Sequence, residues 1–147
     1  MIILSPMPPS IVMFERLFLA SLALSVVSLN INYDLMIEQL AAEPALAELG
    51  IGGGLVLGMA AIGYAIYVLL WYFIARKASN VAKWVLVVLL ALNLVSLLGA
   101  LVGPWDLATY IGLAVYALEI AAIAYLFHAD AVDWLRGEWN TDPTTFD

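Results

Sequence analysis

Four apolar stretches, residues 11–32, 51–75, 84–102 and 107–128, dominate this chain, and each approaches the roughly 20 helical residues that a hydrocarbon core requires. In lipid the backbone N–H and C=O groups find no water, so a spanning segment must satisfy them internally as a helix or in a closed barrel. The alternating apolar and polar pattern of a membrane barrel is absent. The sequence therefore predicts an all-α integral membrane protein, a single domain in which four transmembrane helices form an antiparallel bundle flanked by short interfacial helices. Short connections favour up-down order. A soluble alternative fails on composition. Hydrophobic residues make up 65% of the 147 and charged residues 12%, against about 45–50% and about 25% in soluble domains, and so small a domain lacks the interior to hide that surface.

Charge placement orients the spans. Arg16 precedes the first, Arg76, Lys77 and Lys83 lie between the second and third, and Arg136 follows the fourth. All five basic residues share one side, whereas Asp34, Glu38, Glu43, Glu48 and Asp106 lie on the other. The positive-inside rule places both ends of the chain in the cytoplasm, with 129–147 as a cytoplasmic juxtamembrane tail. Trp71, Tyr72 and Trp84 fall near the inner boundary, and Tyr33, Trp105 and Tyr110 near the outer one, as interfacial aromatics should. A cleaved leader is not expected, because no small-x-small site directly follows the first apolar run and Ala45-Leu46-Ala47 comes too late. Without cysteine, and without glycine at position 2, lipidation is not expected either.

Outside the spans, residues 34–50 carry Leu35, Met36, Leu40, Leu46 and Leu49 among four acids, and Pro44 interrupts them. This pattern predicts a short amphipathic helix on the outer surface, with Asn30 and Asn32 ending the first span as capping or headgroup contacts. Val132, Leu135 and Trp139 form an apolar stripe after the fourth span, which predicts a further amphipathic turn or two resting on the inner surface. Residues 103–106, Gly-Pro-Trp-Asp, read as a tight turn between the third and fourth spans.

Glu119 is the leading candidate for function. An acid at mid-membrane costs roughly 2.5–3.5 kcal/mol on insertion scales, and such residues usually face a bundle interior or an ion path. Counted along the helices from their inner ends, Asn93, Tyr67 and Ser25 reach a similar depth, which predicts an intramembrane polar layer of Ser25, Tyr67, Asn93 and Glu119. The plainer reading of that layer is structural: a neutral Glu119 hydrogen-bonded to Asn93 or Tyr67 pins two helices. The alternatives are proton or ion transfer and a subunit contact. Gly50, Gly54 and Gly58 recur at four-residue steps and, with the Ala117, Ala121 and Ala124 stripe, predict close helix packing within the bundle or between protomers. Glu15 and Arg16 are adjacent at the inner edge but cannot face each other, so Arg16 reads as a lipid-phosphate anchor with Arg76, Lys77 and Lys83. His128, Asp130 and Asp133 do not preform a metal site at their spacing. No catalytic constellation, metal site or cofactor is expected, and a net charge of −7 without a basic patch argues against nucleic acid.

Residues 69–89, LLWYFIARKASNVAKWVLVVL, and 125–137, YLFHADAVDWLRG, resemble uncharacterised small four-span inner-membrane proteins of proteobacteria. The shared features are an aromatic helix end, a short basic loop holding Ser79 and Asn80, a Lys-Trp helix start and an acid-bearing segment with Trp after the last span. The resemblance covers about two-thirds of the chain; it implies the same topology in a bacterial inner membrane and imports no activity. The functional expectation is a non-enzymatic membrane protein, an accessory or assembly subunit or a homo-oligomer, whose partners are the lipid bilayer and another membrane chain. The alternative is an oligomeric small transporter or ion channel using Glu119 as an intramembrane acid.

Overall fold

The computed structural model describes residues 6–50 and 52–139. Its elements are α1 (Pro9–Ala42), α2 (Pro44–Glu48), α3 (Gly53–Lys77), α4 (Asn80–Val102), α5 (Leu107–Tyr125) and α6 (Ala129–Arg136), with no strand among the described residues. Helices α1, α3, α4 and α5 are long and apolar enough to cross a membrane. They touch in the cyclic order α1, α3, α4, α5, each antiparallel to its neighbours, and the seam between α1 and α5 is the most extensive. The four spans and their up-down order are those of the sequence reading.

The end of the first span departs from it. Helix α1 runs unbroken through Asn30 and Asn32 to Ala42. Neither asparagine caps anything. Asn30 Nδ2 donates to the Val26 carbonyl at 2.8 Å and Asn32 Nδ2 to the Ser28 carbonyl at 2.8 Å, so both side chains bond back one turn and the helix continues. No Gly or Pro interrupts the chain between Pro9 and Pro44. At 34 residues α1 is about 51 Å long, well beyond a hydrocarbon core of about 30 Å, so its acidic last turns stand outside the apolar slab. The amphipathic segment is thus the tip of α1 plus the short α2 folded beside it. Gly53 opens α3 close against that tip, where a Cβ would collide with the Tyr33 hydroxyl.

The turn between α3 and α4 is compact because two caps overlap. Ala78 adopts a left-handed conformation (φ 51°) that lets its own N–H and that of Ser79 reach the Phe73 carbonyl. The Ser79 hydroxyl then accepts from the Ala82 N–H at 3.2 Å and starts α4. At the opposite end Asp106 caps α5. Its Oδ1 accepts from the Thr109 N–H and from the Thr109 hydroxyl, each at 2.9 Å, and these bonds hold the carboxyl below the ordinary carboxylate range.

Packing is concentrated at the basic end, the end that carries all five Lys and Arg. There Ile11, Phe14, Phe18, Ile74, Leu86 and Leu126 are buried together, with Phe14 and Phe18 stacked at 5.3 Å. Helix α6 closes this end. Its apolar face meets protein rather than the membrane surface, burying Ala131 and Leu135. Asp130 accepts from the Ser10 N–H at 3.0 Å and from the Ser10 hydroxyl at 2.7 Å, so a carboxylate from α6 satisfies an orphan donor in the first turn of α1. The Trp134 indole donates to the Ile74 carbonyl at 3.3 Å, near the last turn of α3. A left-handed Gly137 (φ 74°) ends α6, and beyond it the Trp139 indole donates to the Pro6 carbonyl at 3.0 Å. The rest of the tail, 140–147, lies outside the described residues.

Burial works against ionisation of Asp130, but the two Ser10 bonds, together with the backbone N–H groups of Ala131 and Asp130, outweigh it and set the carboxyl below its ordinary value of 3.8. A depressed folded-state pKa gives stability that is full above 3.8 and lost as pH falls through the lower folded value. Asp130→Ala should therefore cost about 1 kcal/mol at neutral pH, as loss of a helix cap does. Melting in detergent from neutral pH down to pH 3 checks this: the wild-type advantage should hold above pH 3.8 and narrow below it, and a constant gap would exclude the ionised cap.

Candidate functional site

Towards the acidic end the bundle loosens. No described residue of α1 beyond Leu22, of α4 beyond Leu90 or of α5 before Val115 is buried, and α3 contributes only Val56 on that side. Between the closed and the open half lies a cavity of about 320 Å³, bounded by all four spans. Ser25, Ser28, Tyr64, Tyr67, Asn93, Tyr116 and Glu119 supply its polar wall, and the remainder is aliphatic or glycine. Ser25, Tyr67, Asn93 and Glu119 all fall in the lining of this one space.

Its internal bonding differs from the structural expectation. Asn93 Nδ2 donates to the Tyr67 hydroxyl at 3.0 Å and to the Leu89 carbonyl at 2.8 Å. The Tyr116 hydroxyl donates to the Asn93 backbone carbonyl at 3.2 Å. One turn of α4 therefore ties α3 on one side and α5 on the other. Ser25 spends its hydroxyl on the Leu22 carbonyl at 2.8 Å, within its own helix. Glu119 takes no part: its carboxyl has no hydrogen-bond partner among the described residues and faces the cavity. The pinning is done by Asn93 with the two tyrosines, and the acid is left available. Chemically, the site offers a carboxyl able to hold a proton or pair with a cation, in a wall that includes three tyrosines.

Tyr64 and Tyr116 belong to the site although sequence reasoning did not single them out. The available signal is spacing: Tyr64 precedes Tyr67, and Tyr116 precedes Glu119, by three residues, which puts each pair on one helix face.

The other candidates are placed as follows. A Cβ on Gly54 or Gly58 meets nothing within 4 Å, and Gly50 sits in the turn after α2, so this series makes no close helix contact within one chain. Ala117 is exposed and Ala121 half-buried; the alanine of α5 packed in the core is Ala122. Arg16 is exposed, and Glu15 pairs with Arg76 of α3 at 3.1 Å rather than with its neighbour. Arg76 is 44% exposed, so that pair adds little stability. Lys83 is buried, with its ammonium 4.4 Å from the centre of the Phe127 ring and 5.3 Å from that of Trp84. Lys77 lies exposed at the end of α3. His128 stands at the N-cap position of α6 without a side-chain capping bond, Asp130 is engaged by Ser10, and no group of metal-ligating side chains occurs among the described residues. A second polar cluster lies at the basic end, where Glu15 Oε2 and Trp71 Nε1 are buried without partners among the described residues.

Comparison with protein-family models, with curated proteins and with solved structures finds no match to this chain.

Asn93 gives a direct test of the mid-membrane tie. Asn93→Leu should lower stability by about 0.6–1.7 kcal/mol, the range measured for hydrogen bonds between membrane helices, and Tyr67→Phe should cost no more. Melting followed by circular dichroism in lipid nanodiscs measures both. If Asn93→Leu matched the wild type, the bond between α3 and α4 would contribute nothing.

Proposed function

We propose that this chain is a small, non-enzymatic membrane protein that handles a proton or a monovalent cation at Glu119, acting as a transporter or channel rather than as scaffolding. The observation that carries the reading is the unpartnered Glu119 carboxyl in a cavity bounded by all four spans. An acid kept at mid-membrane for structure alone would be expected to bond to the polar groups beside it, and these bond to one another instead. The closed, buried basic end and the loosened acidic end support access from the acidic side. By the positive-inside rule that side is external, with both ends of the chain cytoplasmic, and the resemblance to proteobacterial four-span proteins supports a bacterial inner membrane.

The test is flux in proteoliposomes under an imposed membrane potential. The wild type should admit protons or a monovalent cation, and Glu119→Gln should reduce that flux at least to about a tenth with an unchanged melting temperature. Dicyclohexylcarbodiimide, which modifies carboxyl groups in apolar surroundings, should label Glu119. Flux no greater than that of protein-free liposomes, together with an unlabelled Glu119, would count against the proposal.

A second reading, a homo-oligomer or an accessory subunit, is favoured by the uncovered glycines of α3. Gly54 and Gly58 leave a smooth strip on which another membrane helix can approach closely. Because neither glycine packs within the chain, Gly58→Leu should reduce the mass of a complex extracted from its own membrane without lowering the stability of the single chain. Native mass spectrometry reads the outcome: a stoichiometric foreign protein supports an accessory subunit, repeats of this chain support a homo-oligomer, and a bare monomer removes this reading.

A further inference from the structure

We infer that the cavity at Glu119 is built for a small organic cation, an amine or quaternary ammonium with an apolar body, rather than for a bare inorganic ion. The inference deepens the proposal above and rests on its reading of Glu119 as an intramembrane acid.

Three features of the cavity point to this class of ligand. The first is its wall. Tyr64 and Tyr67 from α3 and Tyr116 from α5 line the same space as its one carboxyl, and no Lys, Arg or His lines it. Aromatic faces with an acid and no competing base suit a diffuse positive charge, which the rings attract through their negative faces and the carboxylate by direct pairing. The second is the supply of oxygen ligands. Sodium and other hard cations need several inward-facing oxygens to replace their water. Here the Tyr116 hydroxyl is turned to the Asn93 carbonyl, the Ser25 hydroxyl to the Leu22 carbonyl, and the Tyr67 hydroxyl accepts from Asn93. Those three hydroxyls and that of Ser28, which accepts from Asn32, are engaged within the protein, leaving the Glu119 carboxyl, the Tyr64 hydroxyl and the Asn93 side-chain oxygen, fewer than the roughly six oxygens a hard cation takes. The third is size. At about 320 Å³ the space lies at the small end of the roughly 300–1,000 Å³ typical of small-molecule pockets, and far exceeds what one ion requires.

The route agrees with the charge. Asp34, Glu38, Glu43, Glu48 and Asp106 all lie at the acidic end, with no basic residue among them, so the approach to the loosened half attracts cations. The basic end combines a buried core with all five positive side chains and repels them.

The probe is benzyltrimethylammonium, titrated calorimetrically into the full chain in lipid nanodiscs, with benzyl alcohol as the uncharged control and sodium chloride as the inorganic competitor. Saturable binding at one site per chain is expected, with no comparable signal from benzyl alcohol and little displacement by sodium. Glu119→Gln should weaken the affinity by roughly tenfold or more, and Tyr64→Leu severalfold. Tyr64→Phe should keep it, because the ring face remains. Tyr64 makes no hydrogen bond that these variants would break, so they remain informative if Glu119→Gln folds poorly. The inference is overturned if benzyltrimethylammonium does not saturate, if benzyl alcohol binds equally well, or if Tyr64→Leu has no effect. Should the probe fail while carbodiimide still labels Glu119 and proton or sodium flux persists, the organic cation falls and the intramembrane acid stands. Should all three fail, both fall together.

Discussion

Lipid tails solvate a leucine as well as another helix does, so burial of apolar surface cannot by itself hold membrane helices together. What fixes these four is the packed plug at the basic end, where Phe14 and Phe18 of α1 meet Ile74 of α3, Leu86 of α4 and Leu126 of the turn after α5. Aromatic stacking and close dispersion contacts are available there because the chain brings α6 back beneath the bundle. Asp130 and Trp134 then satisfy a donor at the start of α1 and an acceptor near the end of α3, groups that lipid would leave unpaired. Every other feature of the molecule depends on this anchored end. With it fixed, the opposite half has no need to pack tightly and can hold a cavity.

The second tie is much smaller. Asn93 joins α4 to α3 through its side chain and to α5 through its backbone carbonyl, at the floor of the cavity. Placing this tie on α4 rather than on α5 has a consequence for chemistry. Had Glu119 supplied the hydrogen bonds, its carboxyl would be committed to cohesion and closed to ligands. With Asn93 in that role, cohesion and reactivity are carried by different side chains.

The architecture was largely legible because it depends on hydropathy and charge, which are local. Four spans, their order and the common side of the basic residues all follow from runs of residues. The depth of the polar layer was legible for the same reason, since rise per residue converts sequence position into height. What could not be read was azimuth. Whether Asn93 reaches Tyr67 or Glu119, and whether Gly54 and Ala117 face inward, depends on rotations of α3, α4 and α5 that no single helix encodes. The course of α1 was misread because Asn30 and Asn32 look like end signals, yet an asparagine that bonds to its own preceding turn is compatible with a helix interior. Helix α6 was foreseen as amphipathic, but an apolar stripe looks the same whether it meets lipid or protein. Its resting place was decided by Ser10, 120 positions away in sequence from Asp130.

An acid in mid-membrane sets a physical condition that the two halves of this bundle meet differently. Its insertion cost is tolerable when water or a cation reaches it, or when protein groups bond to it. Asn93, Tyr67 and Tyr116 in the same wall are bonded to one another and not to Glu119, so the first route is the one this geometry leaves open. That route requires an opening, and an opening is affordable only where packing is not needed for cohesion. The buried plug therefore lies at the basic end, and the loosened half lies on the side lined with carboxylates. Tight packing around the acid would have required a partner in the wall, and a loose bundle throughout would have lost the fixed placing of Tyr64, Tyr67 and Tyr116 in the same wall. The segregation of rigid and open halves along the bundle axis is thus the structural counterpart of a single unpaired carboxyl.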